Sequence, residues 1–176
     1  EAGQTVRAGC FAVEFIHVNH SIADAFMFAI RTPAGIVMHS GDFKIDYTPI
    51  NGEIMDLQRI AQIGREGVLL FVCESTNIEV PGFSKSERHV GESMAEMFEG
   101  ARGRIFVATF SSNVSRLQQI FTAAERHGRK VALVGRSMLN VFNAANNLGY
   151  IQMKPDTLIE VSQVDHYPPA QVVIIS

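Results

Sequence analysis

From residue 55 onward the sequence alternates between short apolar runs and stretches with helical spacing. That alternation constrains the fold more than any other feature. Val68–Cys73, Arg104–Thr109, Lys130–Val134 and Val172–Ile175 are runs of strand length. The first intervening stretch is predicted helical through Met94, Met97 and Phe98, closing near Gly100. It opens at Ser84-Lys85-Ser86-Glu87, which has the form of a capping box, serine and glutamate each taking an orphan backbone N–H. The second has apolar positions at 117, 120, 121 and 124, with Ser112 or Asn113 as its cap and Gly128 as its end. The third runs from Ser137 to Leu148, with Gly149 in the usual position just past the C-terminus. Strands buried on both faces read as unbroken apolar runs, so this grammar predicts an α/β fold with a mainly parallel sheet covered on both faces by helices.

The first fifty residues follow a different grammar. Residues 5–18 are β-branched and aromatic, and the apolar runs 25–31 and 34–39 are joined by Thr32-Pro33-Ala34-Gly35, which reads as a hairpin turn. Pro49, Asn51 and Gly52 mark a boundary, and a short helix is expected over Met55–Ile63. The predicted organisation is therefore 1–50 as strands and 51–176 as the strand–helix domain. The chain opens on Glu1 and stops at Ser176, where the loop after a buried strand would begin. Both features lead us to expect a piece of a longer protein, with the edges and apolar faces of the first strands uncovered. Those strands are expected to pair with another copy or to pack on the second part of the chain.

At 176 residues, 47% hydrophobic and 19% charged, the chain is outside the disordered and disulfide-scaffold classes. Its two cysteines, Cys10 and Cys73, sit in apolar runs and are expected to be buried thiols in a reducing, cytoplasmic setting. No apolar run approaches the roughly 18–20 residues of a membrane span. Residues 1–100 carry seven Lys/Arg against fourteen Asp/Glu, and residues 101–176 carry eight against four. An acidic part able to hold metal beside a basic part able to hold phosphate is compatible with nuclease chemistry.

Five strand ends carry the candidate chemistry. Asn19-His20-Ser21 puts a histidine after one strand, and His39-Ser40-Gly41-Asp42-Phe43-Lys44 puts an aspartate after another. An imidazole nitrogen and a carboxylate oxygen so placed can share a zinc ion, although a satisfied polar residue is the plainer reading of either alone. Cys73-Glu74-Ser75-Thr76-Asn77 offers Glu74, Ser75 and Asn77 at a strand end, with an ordinary turn as the alternative. Ser111, Ser112 and Asn113 would form a phosphate cradle at a helix start, or simply cap it. Val134-Gly135-Arg136-Ser137 adds a guanidinium suited to phosphate. The ends at 74–77, 109–113 and 135–137 are expected on one edge of one sheet. His17, His39, His89, His127 and His166 fit no ligand spacing and read as structural or surface residues. There is no Walker A loop, dinucleotide fingerprint or nucleophile elbow.

These stretches resemble a known family. Val18-Asn19-His20-Ser21-Ile22 and His39-Ser40-Gly41-Asp42-Phe43-Lys44-Ile45-Asp46 are similar to the metallo-β-lactamase-fold nucleases of the β-CASP group. Glu74-Ser75-Thr76-Asn77 with Pro81-Gly82, Phe110-Ser111-Ser112-Asn113 with Arg116-Leu117-Gln118-Gln119, and Gly128 to Gly135 resemble the bacterial ribonuclease J branch. The resemblance runs from about residue 5 to 176.

It implies a zinc-dependent RNA hydrolase with 5′-to-3′ exonuclease and endonuclease activity. Two zinc ions would lie between a metallo-β-lactamase part, ending near residue 50, and an inserted β-CASP part from 51 onward. By position, His20 corresponds to a metal ligand and Asp42 to the aspartate bridging both metals. Glu74 corresponds to the acidic residue of the first β-CASP motif, expected across the domain cleft to orient a ligand or shuttle a proton. Ser112, Asn113 and Arg116 fall on the face toward RNA. The family's His-x-His-x-Asp-His motif has no counterpart here, nor have the later β-CASP histidines. The expectation is a homo-oligomeric, cytoplasmic parent nuclease acting in RNA processing and decay, and a chain inactive by itself. The competing expectation is a stand-alone α/β module binding a nucleotide or phosphate; a third is a piece with no activity.

Overall fold

The computed structural model describes residues 1–50 and 52–176; the boundary residue Asn51 lies outside the described residues. The chain forms two compact units, residues 1–20 with 24–86 and residues 21–23 with 87–176.

In the first unit, β1 (Thr5–Ala8), β2 (Phe11–His17), β3 (Phe26–Thr32) and β4 (Gly35–His39) form an antiparallel meander. The β3–β4 turn is the one the sequence predicts: the Thr32 hydroxyl donates to the Gly35 carbonyl at 2.9 Å and accepts the Ala34 N–H at 3.1 Å. Helix α1 (Leu57–Glu66) then carries the chain to β5 (Val68–Val72), which joins the same sheet parallel to β4. Alternation along the strands sends Ile16, Met27, Ala29 and Met38 to one face, where α1 covers them with Ile63 and, less deeply, Leu57 and Ile60. Each fully buried aliphatic side chain of this kind stabilises by about 1.5–3 kcal/mol. Asp56 caps α1, its carboxylate accepting the Arg59 N–H at 2.9 Å. On the opposite face Phe15 meets Phe26 and Phe28 edge-on at centroid distances of 5.6 and 5.2 Å.

Three expectations are corrected here. β5 closes the first sheet instead of opening the second, and the compact units part at 86/87, whereas the change of grammar lies at 50/51. A continuous apolar run signals a strand without saying which sheet it joins. The uncovered surface is also greatest on this strand: Leu69, at 64% exposure, leads an exposed run through Val72. Finally, both cysteines are exposed and free, Cys10 in the β1–β2 turn and Cys73 just past the β5 edge.

The second unit holds α2 (Glu87–Gly100), β6 (Ile105–Val107), α3 (Val114–Arg126), β7 (Lys130–Leu133), α4 (Arg136–Asn147), β8 (Leu158–Ile159) and β9 (Val172–Ile175). Its four strands are parallel in the order β6-β9-β7-β8, so the last strand is an interior one. Helix α2 opens at Glu87, later than the Ser84–Glu87 box predicts. Helices α3 and α4 end as the glycines foretell. Gly128 and Arg129 donate to the carbonyls of Glu125 and Ala124, and Gly149 and Tyr150 to those of Asn146 and Ala145, each set a Schellman motif around a glycine at positive φ.

Val131, Leu133, Val173 and Ile175 face a core shared with α2, α3 and α4, where Phe121 stacks on Phe142 at 5.4 Å. All three helices therefore contribute to the core on one face. The other face, with Ala132 and Val172, is covered at Val164 by a 3₁₀ segment, Val161–His166, and Phe106 stays exposed. The expectation of helices on both faces fails because residues 150–171 hold Pro155, Pro168 and Pro169 and form only 3₁₀ turns and the two-residue β8.

Candidate functional site

Strands β2, β4 and β5 run in the same direction, since β3 is antiparallel to β2 and β4 and β5 is parallel to β4. The residues that follow them therefore emerge at one edge of the first sheet, and these are His20, Asp42 and Glu74. His20 Nε2 lies 3.9 Å from Asp42 Oδ2, with the imidazole about one-third exposed and the carboxylate mostly exposed.

Backbone contacts set this approach. The Lys44 N–H donates to the Asn19 carbonyl at 2.7 Å, drawing the loop after β4 onto the end of β2. Asn19 is fixed in turn by its side chain, which donates to the Glu53 carbonyl at 2.8 Å and accepts the Met55 N–H at 3.0 Å. Gly41, one residue before Asp42, has φ of +58°, and a Cβ there would stand 2.9 Å from the Phe26 carbonyl oxygen. Only glycine makes this turn without displacing backbone.

Glu74 belongs to the same edge, not across a cleft. Its Oε2 accepts the Thr76 N–H at 2.8 Å. The Thr76 side chain, then the Thr76 and Phe43 backbones and the nearby His20, hold its carboxyl below the usual range against a small opposing effect of burial. A carboxylate so held is ionised at neutral pH. Ser75 and Asn77 lie in the turn that Glu74 opens, with Asn77 at φ of +60° and the Ile78 N–H returned to the Ser75 carbonyl. The turn reading accounts for both.

Ligands about 2.0–2.1 Å from a tetrahedral zinc stand roughly 3.3–3.4 Å from one another, so the His20–Asp42 pair fits two positions of such a shell after a small adjustment. Among the described residues no group of three or more His, Cys, Asp or Glu side chains is arranged to hold a metal. A cavity of about 810 Å³ opens beside β2 and α1, but none of His20, Asp42 and Glu74 lines it. Three of its polar side chains have partners: His17 bonds the Glu53 carbonyl, Glu14 bonds Arg59, and Asp56 caps α1.

In the second unit the loops after β6 and β7 come together. Ser111 Oγ and Ser137 Oγ are 2.8 Å apart, with Arg136 exposed beside them and the aromatic ring of Phe110 86% exposed. The third expected member, the 74–77 segment, follows a strand of the other sheet, so the single shared edge predicted for all three is corrected to two. Asn113 is the α3 cap, its side-chain oxygen accepting the Arg116 N–H at 2.9 Å. Arg116 gives its Nε to Glu87 Oε1 at 2.5 Å. Ser112 is exposed in the loop. Ser137 joins this group through its contact with Ser111; the signal was a hydroxyl at the start of a helix, the same signal that picked out Ser111.

Residues 102–176 match the family described as "Ribonuclease J, beta-CASP domain". The chain is 48% identical over 98% of its length to a ribonuclease J of Synechocystis sp., and 43% identical over 98% to one of Mycolicibacterium smegmatis. It is 43% identical over 94% of its length to the ribonuclease J of Thermus thermophilus.

The chain matches part of ribonuclease J along almost its whole length.

It covers 27%, 31% and 29% of those three ribonuclease J proteins, so it spans under a third of the curated relatives it matches. A crystal structure of a protein of unknown function from Enterococcus faecalis V583 shares the fold. Its TM-score is 0.67 at 16% identity, over all of this chain and 44% of that one.

Proposed function

We propose that the chain works as part of a zinc-dependent ribonuclease that hydrolyses RNA phosphodiesters, with exonucleolytic and endonucleolytic action. The observation that carries this reading is the 3.9 Å approach of His20 to Asp42 at a sheet edge, in a chain that matches part of ribonuclease J. His20 and Asp42 are the residues of this chain that would hold zinc. Bound there, zinc would supply a nucleophile of lowered pKa and offset charge on the phosphate oxygens. Glu74, ionised and accepting the Thr76 N–H, adds a negative charge at the edge that presents Asp42. Ser111 and Ser137 offer hydroxyl donors to phosphate oxygens, and Arg136 offers a fork of N–H donors. The proposed setting is the cytoplasm, and no helix among the described residues is long and apolar enough to cross a membrane.

The test is cleavage of 5′-monophosphorylated RNA by the full-length protein with zinc. Wild type should degrade it, and Asp42→Ala should abolish degradation while leaving the fold intact by circular dichroism. A full-length protein that leaves such RNA uncut with zinc present overturns the reading. The Ser111–Ser137 pair also suits a metal-independent nucleotide-binding module. Saturable binding of a nucleotide by this chain without metal would favour that second reading, and a flat calorimetric titration would remove it.

A further inference from the structure

Ser40 stands between β4 and the loop of Asp42 and is 1% exposed. Its N–H continues the β4–β5 ladder by donating to the Val72 carbonyl at 2.9 Å. Its hydroxyl makes two further bonds. It donates to the Gly41 carbonyl at 2.6 Å and accepts the Glu74 N–H at 2.9 Å. The Gly41 carbonyl belongs to the peptide plane that leads into Asp42, so one oxygen atom touches the backbone of both acidic segments. A hydroxyl is both donor and acceptor, and alanine or valine in the same volume would be neither.

The need for such a fastener follows from exposure. The Asp42 side chain is 71% exposed, so packing does little to place it. Its position is inherited from backbone: the Gly41 turn, the Gly41 N–H on His39 Nδ1 at 3.1 Å, and the Lys44 bond to Asn19. Glu74 likewise follows an exposed edge strand.

We propose that Ser40 is a positioning residue whose hydroxyl locks the Asp42 loop to the Glu74 segment and so fixes the spacing of the two carboxylates. This rests on the ribonuclease reading for its consequence in catalysis, but the lock itself is a property of the fold.

The experiment compares wild type, Ser40→Ala and Ser40→Thr in the full-length protein, by amide hydrogen exchange and by RNA-cleavage kinetics. In S40A the Glu74 amide should exchange about tenfold faster, as expected for a lost hydrogen bond, with the β2 and β3 amides within about twofold of wild type. kcat should fall by about tenfold to a hundredfold with KM within about threefold. S40T, which keeps the hydroxyl, should restore both. A merely structural role would instead speed exchange across the whole sheet and leave kcat unchanged in the folded fraction; that result overturns the proposal, as does unchanged protection of Glu74. Should S40A fail to fold, Ser40→Cys replaces it, since a sulfur accepts the Glu74 N–H only weakly, and loss of Glu74 protection is again the expected result. A wild type that cuts no RNA defeats the ribonuclease reading alone, because the exchange measurement still decides the lock.

Discussion

The Glu14 carboxylate, 7% exposed on β2, receives Arg59 of α1 twice, Nε at 2.5 Å and Nη2 at 2.9 Å. Arg31 of β3 donates to the same carboxylate at 2.8 Å and to Glu66 at 2.6 Å, so one buried acid fastens the helix to two strands. Breaking a fully buried ion pair costs about 3–5 kcal/mol. Both guanidiniums are about one-third exposed and can regain water. Glu14→Gln should therefore cost about 2–3 kcal/mol, measured by urea unfolding. The Arg59 hydrogen bonds, against burial and with help from Arg31, hold the Glu14 carboxyl below its usual range. Its contribution is thus complete above the unfolded value of about 4.3 and is lost as pH falls through the lower folded value. The gap between wild type and E14Q should be widest near neutrality and close in acid.

Gly41→Ala tests how Asp42 is presented. The added Cβ would meet the Phe26 carbonyl oxygen at 2.9 Å, and that oxygen is backbone that cannot swing aside. With φ at +58° the substitution is strained in any case. A loss of roughly 1–3 kcal/mol of stability is expected. Zinc affinity of the full-length protein should fall in the same variant, because relieving the clash moves the peptide that carries Asp42; isothermal titration measures it.

The His20–Asp42 pairing was legible because each residue follows a strand, and strands running the same way end at the same edge. The ends of α3 and α4 were legible because a glycine at C′ acts locally. The sheet that β5 joins was not legible, since Val68–Val72 is equally apolar in either sheet. Its place depends on a short α1 crossover and on Gly35, whose missing side chain admits Leu69, 3.1 Å from where a Cβ would stand. The cysteines misled because apolar neighbours suggest burial, while Cys10 occupies a turn and Cys73 lies beyond an edge strand. The Lys44–Asn19 bond joins backbone atoms that every residue possesses, so composition could not single it out, although the Asn19 side chain anchors that end of β2.

Asn113 and Arg136 separate capping from phosphate contact. Asn113 already spends its side-chain oxygen on the Arg116 N–H. Asn113→Ala should cost about 1 kcal/mol in thermal unfolding, as for a lost cap, and leave RNA affinity unchanged. Arg136 is exposed at the start of α4. Arg136→Ala should leave stability unchanged, weaken RNA binding alike across sequences, and lower the slope of log affinity against log salt by about 1. Fluorescence anisotropy over a salt series reads both variants.

The edge strand β5 governs how the chain behaves by itself. Leu69, Leu70, Phe71 and Val72 are all exposed, and the strand's outer side presents unpaired backbone groups. Such an edge is a template for another strand, and its apolar side chains add a driving force. The chain alone should therefore associate at micromolar concentration, seen as a mass above 19.4 kDa by multi-angle light scattering. Leu70→Lys should shift the distribution toward monomer, since a charge on an exposed edge opposes pairing and leaves the core that includes Ile16, Met27 and Ile63 untouched. A sharp monomer peak for the unmodified chain across that range would show that the edge is inert in solution.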